Sequence, residues 1–189
     1  MSLILYNNNV LYADRAAVSS ANELAYFTEI NKLYVDKSKY FAMAFVGDEV
    51  DFNSDNFKAF IKLLKVKLHS TEHLDEASSC LKFPYDDMML NPSIIITHNR
   101  VYQGKPDNVK NKDSLIKTDY LVLGYSPKLR LRDGTGQHSA EVGIILGLSD
   151  LDAAKLASKV CVAMYPTKID TFKMSDLKPF PAKLPKTWV

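Results

Sequence analysis

A hydroxyl and a carboxylate stand near the head of the chain: Ser2 directly follows the first Met, and Asp14 closes the apolar stretch after it. Between them, Leu3 to Tyr6 and Val10 to Ala13 read as short strands flanking Asn7-Asn8-Asn9. Asparagine tolerates positive φ, so this is a tight hairpin turn. If all three asparagines are in the turn, Tyr6 pairs with Val10, and counting outward places Ser2 opposite Asp14. A small second residue also permits the first Met to be trimmed. Trimming would leave a serine with its own α-amine, of pKa about 7.7–8, and such an amine can serve as base for its own hydroxyl. The chemistry would be acyl transfer through a serine nucleophile. The same residues also suit an ordinary N-terminal hairpin.

These residues need a scaffold, and the chain is long enough to build one. It has 189 residues, 47% of them hydrophobic, which suits one globular domain with a sizeable core. Lys+Arg (24) nearly balances Asp+Glu (22), so there is no general field for nucleic acid or a membrane surface. No apolar run approaches the roughly 20 residues of a membrane span, and no basic stretch precedes a long apolar one as in a signal peptide. Cys80 and Cys161 are too few for a disulfide framework and have no metal-ligand spacing. This reads as a cytoplasmic protein with reduced thiols, and nothing in the pattern calls for a metal or cofactor.

In chain order, Ala16 to Thr28 is mixed in character and reads as a loop. Lys32 to Val35 is a short strand, and Tyr40 to Val46 a buried one ending at Gly47-Asp48. Ser54 or Asp55 can cap a helix in which Phe57, Phe60, Ile61, Leu64 and Leu68 share one face. Lys58, Lys62, Lys65 and Lys67 lie largely off that face, as a solvated flank or a basic patch. Thr71 to Asn91 suggests a short helix to Cys80 and then irregular chain around Pro84. Ile94 to Thr97 and Val101 to Gln103 form a second hairpin. Gly104 to Asp113, with Pro106, reads as an exposed loop, and Tyr120 to Gly124 as a buried strand.

Gly134-Thr135-Gly136 is a tight turn into a helix whose apolar face carries Val142, Ile145 and Leu146. Ser149 to Asp152 has capping-box spacing ahead of a helix with Leu151, Ala154, Leu156, Ala157, Val160 and Cys161, stopped by Pro166. Ile169 to Lys173 suits a last strand. The division is one domain over residues 1–177 and an extended proline-rich tail over 178–189. Strand hairpins with helices grouped between them point to an α+β fold.

Taken together, these stretches resemble the N-terminal nucleophile hydrolases, and among them the proteasome β subunits and HslV-type peptidases. Ser2-Leu-Ile-Leu with Leu11-Tyr-Ala-Asp14-Arg15 resembles the family's opening hairpin. Asn31-Lys32-Leu33-Tyr34 resembles the strand bearing its catalytic lysine. Ala42-Met-Ala-Phe-Val-Gly47-Asp48 resembles the strand and turn beside its oxyanion site. Gly134-Thr135-Gly136 and the two helices after it resemble its Gly-Ser-Gly turn. The likeness covers about residues 2 to 175 and implies a four-layer αββα sandwich, two antiparallel sheets between helix layers.

The resemblance also implies roles. Ser2 would replace the family's threonine nucleophile, Lys32 would lower the pKa of its hydroxyl, and Asp14 would hold Lys32 charged and oriented. Thr135 would match the serine near the α-amine, with Gly124-Tyr125-Ser126 as a rival for that place. Ala44 and Gly47 would line the oxyanion and substrate site, Ala44 standing where the family has glycine. Val162 and Tyr165 replace an aspartate and a serine that proteasomes carry after the last helix. Without the family, Lys32 and Asp14 would read as an ion pair at a strand edge. The implied function is a peptidase subunit in a homo-oligomeric ring, acting on peptides or unfolded protein, with room for an ATPase unfoldase partner. The helix from Phe57 to Leu68, with its wide apolar face, is the expected contact between copies. A catalytically silent subunit of the same fold is the alternative.

Overall fold

The computed structural model describes residues 2–21, 24–46, 50–72, 80–84, 92–111, 114–125, 128–161 and 168–188. The chain opens with β1 (Ile4–Asn7) and β2 (Val10–Asp14), joined by a two-residue turn. Asn8 and Asn9 both have positive φ, 49° and 62°, the requirement of a type I′ hairpin. Asn7 therefore belongs to the strand and pairs with Val10. This corrects the expected register by one residue: Ile4 pairs with Ala13, and the Asp14 N–H donates to the Leu3 carbonyl at 3.1 Å. All three asparagines are used. Asn7 and Asn8 donate to the Asp150 carboxylate at 2.7 and 2.9 Å, and Asn9 Oδ1 accepts from the Tyr6 hydroxyl at 3.1 Å.

The four-stranded sheet has the order β11 (Leu131–Asp133), β1, β2, β12 (Ile169–Lys173). The six-stranded sheet has the order β5 (Leu33–Val35), β6 (Phe41–Phe45), β8 (Pro92–Thr97), β9 (Val101–Asn111), β10 (Ser114–Tyr125), β7 (Cys80–Pro84). Every described pairing is antiparallel. Alternation along the strands builds the layers. Ile4, Tyr6, Leu11 and Ala13 meet Ala42, Ala44, Ile94 and Ile96 between the sheets. Phe41, Met43, Phe45 and Ile95 face the other way, against Phe57, Phe60, Ile61, Leu64 and Leu68 of α1 (Asp55–Thr71). Leu3, Leu5 and Tyr12 face Ala140 of α2 (Gln137–Ile145) and Ala154 and Ala157 of α3 (Asp150–Cys161). The result is a four-layer αββα sandwich, two antiparallel sheets between helix layers.

Several elements differ from the sequence reading. Residues expected to form a loop after Asp14 are a hairpin, β3 (Ala16–Ala21) with β4 (Leu24–Glu29), closed at its base by the Ile30 N–H donating to the Arg15 carbonyl at 2.8 Å. The expected loop from Gly104 is the continuation of β9, which runs to Asn111 against β10. Pro106 lies beyond the stretch of β9 that pairs with β8, where a missing N–H breaks no second ladder. Pro84 ends the edge strand β7 instead of lying in irregular chain. Gly47, and the short helix expected between Thr71 and Cys80 apart from the end of α1, lie outside the described residues. So do Val162 and Tyr165.

Phe57, Phe60, Ile61, Leu64 and Leu68 of α1 are consumed inside the molecule, so its inner face is not a free contact surface. The opposite holds for α2 and α3. Val142, Ile145 and Leu146, read as the apolar face of α2, and Leu156 and Val160 from the apolar pattern of α3, are exposed. Small residues take the inner positions: a Cβ on Gly143 would lie 3.2 Å from that of Ala153. The two helices pack at backbone distance, and larger side chains do not fit there.

The tail beyond residue 177 packs back on α1. Tyr40 stacks on Phe180 with ring centroids 5.3 Å apart, and Lys65 Nζ lies 5.1 Å from the Trp188 ring centroid while bonding Asp36 at 2.8 Å. No described helix is long and apolar enough to cross a membrane.

Adjacent residues of α1 give a direct check on this layering. Leu64 is fully buried and Leu63 is 40% exposed. Leu64→Ala is expected to cost about 2–5 kcal/mol, and Leu63→Ala no more than about 0.5 kcal/mol. Urea unfolding of the two variants measures both, and equal losses would contradict the placement of α1.

Candidate active site

The β3–β4 hairpin brings the polar cluster together. It leaves the four-stranded sheet after Asp14 and returns two residues before Lys32, so its closed base sets the two side by side. The Phe45 N–H donates to the Lys32 carbonyl at 3.0 Å, which pins the lysine backbone to the end of β6. From there the side chain crosses to the four-stranded sheet. Lys32 Nζ lies 2.7 Å from Asp14 Oδ1 and 2.9 Å from Ser2 Oγ, and also donates to the Ala16 carbonyl. Ser2, Asp14 and Lys32 are 3%, 1% and 2% exposed.

Burial pushes Lys32 below the usual ammonium range, opposed by the Asp14 charge and its hydrogen bond. Burial likewise pushes Asp14 above the usual carboxylate range, opposed by Lys32 and by the Leu3 backbone contact. Asp14 Oδ2 is buried without a hydrogen-bond partner among the described residues, which strengthens the upward push.

The arrangement constrains where a proton can go. An ammonium has three N–H donors, and Lys32 has three acceptors around it. If Lys32 gives up a proton, its lone pair needs a donor. The Ala16 carbonyl only accepts, and the Asp14 carboxyl donates only when protonated, so beside an ionised Asp14 the donor is the Ser2 hydroxyl. Protonated Lys32 is a cation beside the Ser2 oxygen, and deprotonated Lys32 can accept from its hydroxyl.

The turn between β11 and α2 holds Ser2 from the other side. The Gly136 N–H donates to the Ser2 carbonyl at 3.2 Å. Gly134 has φ +90°, and a Cβ there would lie 2.2 Å from the Ser2 carbonyl oxygen, so position and conformation both require glycine. Asp133 Oδ1 accepts from the Gly134 N–H at 2.7 Å and fixes the turn. Thr135 is the exposed residue between these two glycines.

The geometry thus gathers Ser2, Asp14 and Lys32, with the Thr135 turn against the Ser2 backbone. Ala44 is a fully buried rung of β6, paired with Leu33 and Ile94, with its side chain in the layer between the sheets. Sequence reasoning missed Ala16 and Asp133. The first contributes only a backbone carbonyl, which leaves no trace in residue type. The second was legible as an aspartate ahead of a glycine turn. Among the described residues, no group of three or more His, Cys, Asp or Glu is placed to hold a metal ion.

No known family's sequence profile matches the chain, and no curated protein matches it. Among solved structures it is similar to eukaryotic HslV from Trypanosoma brucei, at 13% identity and a TM-score of 0.46, over 91% of this chain and 98% of that one. It is also similar to Thiobacillus denitrificans BPH, at 12% identity over 92% of this chain and 98% of that one, with TM-scores of 0.42 alone and 0.43 in complex with epoxomicin. At these values the likeness is distant, and nothing about the chemistry of this chain rests on it.

Two stability measurements test the site geometry. Lys32→Ala or Asp14→Ala alone leaves a buried charge without its partner, and each is expected to cost about 3–5 kcal/mol. Removing both charges, as in Lys32→Met with Asp14→Leu, is expected to cost clearly less than the sum of the single changes. Gly134→Ala should be at least as damaging as either single change. Denaturation midpoints decide the matter, and additive charge variants would mean that the pair is not coupled.

Proposed function

We propose that this chain is a proteasome-like N-terminal nucleophile peptidase subunit that hydrolyses peptide bonds within an oligomeric ring. The observation that carries this reading is one lysine nitrogen in simultaneous contact with a serine hydroxyl and a carboxylate, all three buried. Ser2 attacks the scissile carbonyl, Lys32 takes or polarises its proton, and Asp14 holds Lys32 in place. A Ser2 α-amine freed by trimming Met1 would add a second base of pKa about 7.7–8, with Thr135 beside it. Backbone N–H groups near Gly47 belong to this reading as the oxyanion and substrate region, whereas Ala44, the other expected contributor, is paired on both sides within its sheet.

The second reading is a silent subunit with the same fold, serving assembly or binding. The 3% exposure of Ser2 favours it, because a substrate carbonyl must reach the hydroxyl.

Intact mass, together with hydrolysis of short fluorogenic peptides, separates the two. The active reading expects a chain beginning at Ser2 whose activity disappears in Ser2→Ala without loss of fold. Equal residual hydrolysis in both would remove Ser2 as the nucleophile. Lys32→Arg then tests the role of the lysine. Arginine keeps its proton in proteins, so loss of its base function is expected to lower kcat/KM by about 10²–10⁴-fold. Retained activity would assign the base to the α-amine alone.

A further inference from the structure

The near balance of charge over the whole chain is not kept locally. Residues 37–46, 56–71 and 177–189 hold nine lysines and no Asp or Glu, which leaves 15 basic against 22 acidic residues in the rest. The fold brings these three stretches together on the α1 side of the sandwich. Asp36, ahead of the β5–β6 turn, bonds Lys65 of α1 at 2.8 Å. The Lys178 N–H donates to the Lys39 carbonyl at 2.7 Å, which joins the tail to the same turn. From there the tail crosses the flank of α1. His69 Nε2 donates to the Pro181 carbonyl at 2.8 Å, and Lys65 Nζ lies over the Trp188 ring. Lys62, three residues before Lys65, lies one turn along that flank.

Seven of the nine lysines are exposed. Lys58 pairs with Asp55 at 2.9 Å. The other six are Lys37, Lys39, Lys62, Lys178, Lys183 and Lys186, and among the described residues none of them is in an ion pair. The acidic groups nearby are mostly spent. Asp36 is buried under Lys65, and the Glu72 carboxylate accepts from Thr97, Tyr102 and Asn99. Asp176, exposed two residues before Lys178, is too little to offset the rest. Like charges gathered in this way repel one another, and they focus a positive field that an anion relieves.

The side chains indicate which anion. A membrane surface calls for apolar groups that insert beside the cations. The most exposed ones, Ile145 and Leu146, are on α2 in the opposite layer, and of the exposed large apolar side chains α1 contributes Leu63 alone. Carboxylates of an acidic protein are matched best by the planar fork of arginine, and the three stretches contain no arginine. Lysine acts as a point charge and suits the regularly spaced phosphates of a polynucleotide. The aromatic rings among the lysines are engaged internally: Tyr40 stacks on Phe180, and Trp188 lies under Lys65. Bases therefore have no free platform to stack on, and the contacts go to phosphates.

We propose that the α1 flank, the β5–β6 turn and the tail form a sequence-independent binding surface for the phosphate backbone of nucleic acid. The proline-rich tail has a defined part in it: Phe180 and Trp188 pin it down, and it carries Lys178, Lys183 and Lys186. The proposal makes no use of Ser2 or of hydrolysis there.

Fluorescence polarisation of the full chain with labelled oligonucleotides of about 30 nucleotides, single-stranded and duplex, tests it. Binding is expected near micromolar at about 50 mM salt, with little difference between sequences of one length. Six lysine–phosphate contacts on a single strand give a slope of log K against log salt of about −4, a loss of about 300-fold by about 200 mM salt. Lys62→Ala and Lys186→Ala should each flatten that slope by about 0.7 and weaken all sequences alike. Lys37→Glu, Lys62→Glu and Lys186→Glu together should cost more than about tenfold in affinity, whereas Lys159→Ala on α3 should change it little. These side chains are exposed, so circular dichroism and Tm should stay at their wild-type values. Absence of binding at about 50 mM salt overturns the proposal, and flotation with anionic lipid vesicles would then assign the face to a membrane. Equal weakening by Lys159→Ala and Lys62→Ala also overturns it, because no face would then be preferred. So does polyglutamate that displaces the oligonucleotide as well as an unlabelled strand of equal charge, since the face would then fit an acidic protein.

Discussion

A buried ammonium–carboxylate contact between the two sheets is the constraint that orders one end of this molecule. Lys32 comes from chain leading into the edge of the six-stranded sheet, Asp14 from the end of a strand in the four-stranded sheet. Two charges at about 1% side-chain exposure are costly to desolvate, and their attraction offsets that cost only with good geometry and further hydrogen bonds. The neighbouring structure supplies these. The Ala16 carbonyl takes a third Lys32 proton, which requires β3 to leave at that angle. The Leu3 carbonyl anchors the Asp14 backbone, which requires the two-residue turn at Asn8-Asn9. Ser2 receives its place as the remaining acceptor, and the glycine turn closes against its carbonyl.

Much of this was legible in the sequence because residue type dictates geometry at the relevant points. Asparagines marked the first hairpin, Gly-Thr-Gly marked the second clamp, and the spacing of Phe57, Phe60, Ile61, Leu64 and Leu68 marked a buried helix face. The register was not legible. Three consecutive asparagines contain two overlapping candidate turns, and the choice depends on Asp150, a residue distant in sequence that binds Asn7 and Asn8. The β3–β4 hairpin was hidden because Ala16 to Ala21 is built of small residues, alanine, valine and serine, with no alternation to count. The long β9 was hidden by Gly104 and Pro106, which read as punctuation unless one knows that β8 has already ended beside them.

The helix pair shows a different limit. Periodicity assigns the large apolar residues to the inside, because burial of large apolar area is what usually stabilises a helix. In α2 and α3 close approach decides instead. Gly143 against Ala153 leaves room only for small side chains, and Ile145, Leu146 and Val160 are turned outward. The rule that failed is one of size, and it fails wherever two helices meet through glycine and alanine.

The same accounting of contacts separates assembly of the site from its use. Lys32 donates to the Ser2 hydroxyl, the Asp14 carboxylate and the Ala16 carbonyl, and none of these is the α-amine of Ser2. Their geometry therefore does not require a free terminus at residue 2. The lysine can be desolvated, paired and aimed while a residue still precedes Ser2. The fold alone therefore assembles the contact of Lys32 with the serine hydroxyl and the carboxylate. What a preceding residue changes is the presence of a second base, since its peptide bond turns the Ser2 α-amine into an amide nitrogen that cannot take a proton.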